Sequence, residues 1–162
     1  MGIEIERKFL LKNDDWKQQV SETHIIKQGY LQSGLEKSQK SSVRIRVSDQ
    51  RANLNIKRVD LTMVRQEYEY EIPLPDAEHM LATLCGDVVI EKTRYEVPYG
   101  AHTFEVDEFH GANEGLTIAE VELENERETH ASPNWLGKEV TGIIKYYNSQ
   151  LSRNPYLNWD KK

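Results

Sequence analysis

A single cysteine, Cys85, is present in the 162 residues, which excludes an internal disulfide and a multi-cysteine metal centre. It sits in MLATLCG, where a buried thiol at a helix end is the expected reading. No stretch approaches the roughly 18 consecutive apolar residues of a membrane-spanning helix. The opening MGIEIERKFL has no basic region followed by an apolar one, which predicts no signal peptide and a cytoplasmic protein. The five histidines are scattered and none forms HExxH. There is no GxxxxGK-S/T loop, no glycine-rich dinucleotide fingerprint after a strand, no solenoid repeat and no low-complexity segment. An excess of positive charge is also missing. The 21 Lys and Arg against 27 Asp and Glu leave a net charge of -6, which argues against general nucleic-acid or membrane-surface binding.

What is present is alternation. Period-two segments recur at about 3–11, 24–32, 42–48, 52–58, 65–73, 88–97, 102–109 and 116–124, separated by turn residues such as Ser33-Gly34, Asp49-Gln50 and Gly111 to Gly115. Three segments predict helices. They are 13–20 with Asn13 as cap, 75–86 with Pro75 near its start, and 132–151 with Ser132 as cap and an apolar stripe that includes Trp135, Val140, Ile144, Tyr147 and Leu151. The fold class is therefore α+β and mainly β, with one domain over 1–152 and a tail over 153–162. Tyr68, Tyr70, Met80, Trp135 and Tyr147 are expected to pack on the outside.

The charged residues keep to one face of each strand. EIERK places Glu4, Glu6 and Lys8 opposite Ile3, Ile5 and Phe9. The same parity collects Arg44 with Arg46, Lys57, Arg65 with Glu67, Glu69 and Glu71, Lys92 with Arg94, Glu105 with Asp107, and Glu120 with Glu122 and Glu124. Like charges two residues apart on a strand stand about 7 Å apart and repel by on the order of 2 kcal/mol at an effective dielectric near 20. A solvated face would mix the signs. The repeated like pairs point to an antiparallel sheet closed into an eight-stranded, barrel-like tunnel, with its charged face inward and its apolar face under helices. Basic rows would hold a polyanion and acidic rows divalent cations. Carboxylates without His or Cys at ligand spacing suit Mg²⁺ or Mn²⁺, and the combination suggests phosphoryl chemistry.

EIERK also resembles the ExExK signature of the CYTH superfamily, the triphosphate tunnel metalloenzymes. KQGYL, VRIR, LNIK, RQEYEYEI, EKTRY, FEVDEF, AEVELE and WLGKEVTGIIKYYN resemble its successive blocks in order, over about 3–151. The resemblance is to small, single-domain bacterial members. It implies an eight-stranded tunnel and divalent-metal chemistry on triphosphates. It also implies Glu4, Glu6, Glu120 and Glu122 as the main metal-binding carboxylates, with Glu67, Glu69, Glu105 and Asp107 as further acidic lining that assists metal or water. Arg44, Arg46, Lys57, Lys92 and Arg94 form the implied triphosphate clamp. Lys8 and Tyr30 resemble a pair that helps decide which bond faces the nucleophile. Lys145, the remaining implied substrate-binding residue, at the tunnel mouth, takes the place of an arginine that usually follows the EVT run, so the charge is kept and the planar fork is lost.

The expected activity is hydrolysis of inorganic tripolyphosphate to pyrophosphate and phosphate, because the short chain offers no obvious base- or ring-binding surface. A nucleoside or thiamine triphosphatase, a class IV-type adenylate cyclase and a non-catalytic polyphosphate-binding module are the alternatives. The expected partner is a small triphosphate-containing molecule, with neither membrane nor general nucleic acid, and with a homodimer allowed.

Overall fold

The period-two segments become strands whose polar and apolar faces separate cleanly. In the computed structural model, which describes residues 2–59 and 63–160, the chain runs β1 (Gly2–Leu11), β2 (Glu22–Gln32), β3 (Ser41–Ser48), β4 (Arg51–Arg58), β5 (Val64–Ile72), α1 (Leu74–Thr83), β6 (Gly86–Tyr99), β7 (His102–Phe109), β8 (Thr117–Glu122), β9 (Leu136–Glu139) and α2 (Asn148–Arg153). The sheet order is β5-β4-β3-β2-β6-β7-β8-β1, and a further pairing of β1 with β5 closes the ring. Every pairing is antiparallel. The result is the expected eight-stranded closed barrel, with β9 added beside β1. No helix among the described residues is long and apolar enough to cross a membrane.

Outward-facing apolar residues form two external cores. Ile5, Phe9, Val97, Phe104, Val106, Ala119 and Val121 are covered by Trp16, Trp135 and Leu136. Trp16 comes from the 13–20 segment, which forms a single 3-10 turn over Asp15–Gln19. On the other side Ile45, Ala52, Val47 and Leu54 lie under α1 through Ala77, Met80 and Leu81. Half-buried Cys85 packs there just after the helix. A third cluster has inward parity: Ile90, Phe109 and Ile118 meet Leu151 of α2, with Tyr156 and Trp159 of the tail packed against them. Part of the barrel interior is thus filled by an apolar plug.

The helix expected over 132–151 does not form. Its first half is the strand β9, its middle a turn, and only Asn148–Arg153 is α-helical. Two glycines explain the difference. Gly142 has φ 80°, which an α-helix does not contain. A Cβ on Gly137 would lie 2.7 Å from the Leu10 carbonyl oxygen, so the segment is pressed onto β1 as a strand. The Val140 amide donates to the Lys8 carbonyl, and Thr141 Oγ1 accepts from the Lys8 amide at 2.9 Å.

Candidate active site in a charged tunnel

Closing the barrel turns the charged parity of β1 to β8 onto a common interior cavity of about 250 Å³. Fourteen of the residues singled out from the sequence line it: Glu4, Glu6, Lys8, Tyr30, Arg44, Arg46, Lys57, Glu67, Glu69, Lys92, Arg94, Glu105, Glu120 and Glu122. Two predicted residues lie elsewhere. Asp107 is buried behind the lining, where its carboxylate accepts from Lys92 Nζ at 2.7 Å and from Arg94 Nε at 2.7 Å. Lys145 stands on an exposed 3-10 turn with its ammonium over the Tyr146 and Trp159 rings, at 5.1 and 4.7 Å, and does not reach the cavity.

Arg65, Ser42, Tyr147, Asn148 and Ser149 also line the cavity. Arg65 shares the parity of Glu67 and Glu69, so the sequence carried its signal. Tyr147, expected outside, faces inward. Its ring receives Lys8 Nζ at 4.9 Å and Arg65 Cζ at 5.3 Å. No parity signal could reveal Tyr147, Asn148 or Ser149, because they belong to the turn and short helix that replace the expected long one. Gln28, which shares the Tyr30 parity, is buried behind Arg46.

Most tunnel cations are matched to carboxylates. Lys8 Nζ donates to Glu120 Oε1 at 2.8 Å. Lys57 lies 2.7 Å from Glu4, and Arg65 NH2 donates to Glu6 at 3.0 Å. Arg94 reaches Glu105 and Asp107, with Glu120 at 3.8 Å. Burial pushes the Glu4 carboxyl up, but Lys57 and Arg65 hold it far below the usual carboxylate range. Burial likewise opposes charge on Glu120, and Lys8, Arg94 and Lys92 override it. Glu6 moves the other way, raised by burial and by the Glu120 and Glu4 charges. Lys92 is pulled down to about 7 by burial and by Arg94 and Arg46, although Asp107 opposes this.

Two arginines break the pattern. Among the described residues neither Arg44 nor Arg46 has a carboxylate at ion-pair distance. Arg44 is buried with its Nε unpartnered. Arg46 Nε donates only to the Gln28 amide oxygen at 3.0 Å. Burial, with Arg44 and Arg94 beside it, pulls Arg46 down to about 10. The acidic counterpart is Glu122, which has no Lys or Arg at ion-pair distance among the described residues. Its carboxyl is pushed up by burial and by the charges of Glu4, Glu105 and Glu67. An anion is wanted at one place in the cavity and a cation at another.

The sequence profile of the CYTH domain family matches residues 2–153. The chain belongs to the CYTH domain family. An inorganic triphosphatase of Acetivibrio thermocellus is 44% identical over 159 residues, covering 98% of this chain and 99% of that protein. One of Nitrosomonas europaea is 34% identical over 156 residues, covering 92% and 96%. Among solved structures, a crystal structure of an inorganic triphosphatase superposes with a TM-score of 0.65 at 30% identity, over 94% of this CYTH chain and 95% of that one. A Pyrococcus horikoshii protein shares the fold at 18% identity and a TM-score of 0.56, over 76% and 79%.

Proposed function

We propose that this CYTH protein is a divalent-metal-dependent inorganic triphosphatase that hydrolyses tripolyphosphate to pyrophosphate and phosphate. The observation that carries the reading is the uncompensated Arg44–Arg46 pair inside a cavity whose other cations already have carboxylates. A bound triphosphate supplies the missing negative charge, and arginine forks suit its oxygens. The names of the full-length relatives support the same activity.

The donor set fits a hard cation. Among the described residues the lining offers carboxylate oxygens from Glu4, Glu6, Glu120 and Glu122, with Glu67, Glu69 and Glu105 nearby, and no sulfur or imidazole. Mg²⁺ and Mn²⁺ are the ions of choice, and when bound they neutralise phosphate charge and polarise the phosphorus centre. The remaining work falls to the chain. Arg44 and Arg46 anchor the phosphates and meet the charge that builds in the transition state. Lys8 and Tyr30 fix one end of the substrate. Glu105 and Glu122 orient water toward the terminal phosphorus. The new phosphorus–oxygen bond forms as the bridging bond breaks, pyrophosphate leaves, and the water proton passes to solvent.

The lining favours a bare polyphosphate over a nucleotide. The cavity of about 250 Å³ is lined almost wholly by charged and polar side chains, whereas pockets that enclose organic ring systems are lined mostly by apolar and aromatic ones. Its lining aromatic rings are Tyr30, which is buried, and Tyr147, already occupied by Lys8 and Arg65. Neither is free to stack a base. Tripolyphosphate, ATP, GTP and thiamine triphosphate should be compared with Mg²⁺ and Mn²⁺, reading both phosphate and cyclic AMP. Tripolyphosphate should show much the highest kcat/KM with no cyclic product. Equal or faster turnover of ATP, or release of cyclic AMP, would refute the assignment.

A further inference from the structure

A cluster on β2 and β6 stands apart from this constellation. Glu22 and Glu96 are directly opposite each other in the β2–β6 register. Two like charges so placed repel unless a cation lies between them. Among the described residues neither has a Lys or Arg at ion-pair distance, and the basic group they share is the His24 imidazole. His24 Nε2 lies 3.5 Å from Glu22 Oε2 and 3.6 Å from Glu96 Oε1. These separations exceed the roughly 2.7–3.2 Å of an N–H···O hydrogen bond. They match a different object. A tetrahedral ion with bonds of about 2.0–2.2 Å holds its ligand atoms roughly 3.3–3.6 Å apart. All three ligand atoms here fall within 4.8 Å of one another.

The other side of the ring is fixed. His24 Nδ1 is 2.8 Å from Asp49 Oδ2, and Asp49 Oδ1 accepts from the Ile25 amide at 2.9 Å. A carboxylate held in this way favours a proton on Nδ1, which makes Nε2, turned toward the two glutamates, the nitrogen open to a metal, the arrangement that supports a metal-bound imidazole.

We propose that Glu22, His24 and Glu96 form a second metal site that takes a borderline transition-metal ion, zinc(II). One imidazole nitrogen with two carboxylates distinguishes it from the oxygen-only tunnel, which favours harder ions. His24 is opposite Arg94, and Glu96 is opposite Glu105, so the site continues the tunnel-lining rows outward to the rim. A fourth ligand position is left for water, because the Glu22 side chain is largely exposed and those of His24 and Glu96 partly so.

The test is calorimetric titration of zinc ions into the full chain with saturating Mg²⁺ and no phosphate, beside ¹⁵N spectra of the imidazoles. One zinc ion should bind per chain. His24→Gln should abolish that site, and Glu96→Gln should weaken it about tenfold or more. His24 Nε2 should shift at one equivalent of zinc while Nδ1 keeps its proton. Glu96→Gln leaves the His24–Asp49 contact in place, so it decides the matter should His24→Gln fail to fold. Zinc binding that is unchanged in both variants overturns the proposal. So does an Nε2 that stays protonated and unmoved at stoichiometric zinc, which would make the shared cation an imidazolium proton.

Discussion

Strands β3 and β6 both pair with β2 and both carry two inward basic residues at i and i+2, yet the pairs have opposite surroundings. Lys92 and Arg94 on β6 face β7, whose register sets Asp107 opposite Arg94. Arg44 and Arg46 on β3 face β4, whose register sets Asn55 opposite Arg44 and Asn53 opposite Arg46. Where one neighbour supplies carboxylates, the other supplies neutral amides. The first pair is compensated within the protein. The second has no carboxylate partner among the described residues, which leaves its charge available to the proposed ligand. Strand alternation brings both pairs inward; the neighbouring strand decides what each is for.

The largest effect that would break this contrast is on stability. Arg94→Ala leaves buried Asp107 with Lys92 alone, and removing one partner of a buried ion pair typically costs about 3–5 kcal/mol. Denaturant unfolding should show that loss, whereas Arg46→Ala should leave stability unchanged or slightly raised, since repulsion from Arg44 and Arg94 is relieved. Equal destabilisation by the two substitutions would erase the distinction.

A smaller effect concerns ligand affinity. Arg46→Ala should weaken tripolyphosphate binding by about 1.5–3 kcal/mol, the usual range for a charge-assisted contact. Arg46→Lys should recover only part of it if the contact is two-pronged. Full recovery, seen in a calorimetric Kd, would mean that charge alone matters at this position.

The smallest effect is a proton count. With Lys92 at about 7 in the ligand-free protein, most of its ammonium is already neutral at pH 8. An incoming anion raises it again, so metal-free binding at pH 8 should take up protons, read as a dependence of binding heat on buffer ionisation enthalpy. The uptake should fall in Lys92→Arg, whose guanidinium stays charged. The same displacement acts on folding. Between pH 7 and the ordinary lysine range the unfolded chain holds a proton that folded Lys92 lacks, so this group makes ligand-free stability rise with pH across that window.

The barrel was legible in the sequence because its strands follow one rule along most of their length, charge in and apolar out, with Ile90, Phe109 and Ile118 of the plug as the exceptions. EIERK, VRIR and RQEYEYEI carry that rule residue by residue, and fourteen charged cavity residues, Arg65 among them, follow from it, whereas Tyr30 was named only through the family resemblance. The segment from Trp135 to Leu151 was not legible. Its apolar residues match helical spacing, but they serve three separate surfaces: Trp135 in the external core, Tyr147 in the tunnel and Leu151 in the plug. Ion-pair partnership was hidden for another reason. It depends on which strands become neighbours and in what register, so nothing in VRIR and EKTRY distinguishes an uncompensated pair from a compensated one.

Strand β1 is made before the strands it pairs with, and most of those partners come late in the chain. Lys8 reaches Glu120 and the Thr141 hydroxyl across sequence separations of 112 and 133 residues. Among the described residues only Gly2 to Glu6 can pair earlier, with β5 and the Met63 carbonyl just before it. For most of synthesis its remaining edge is therefore open, the condition under which strands of different chains adhere. Glu4, Glu6 and Lys8 give that waiting strand a charged face that discourages such pairing. The row of side chains that lines the finished cavity thus also protects the nascent chain until the ring can close.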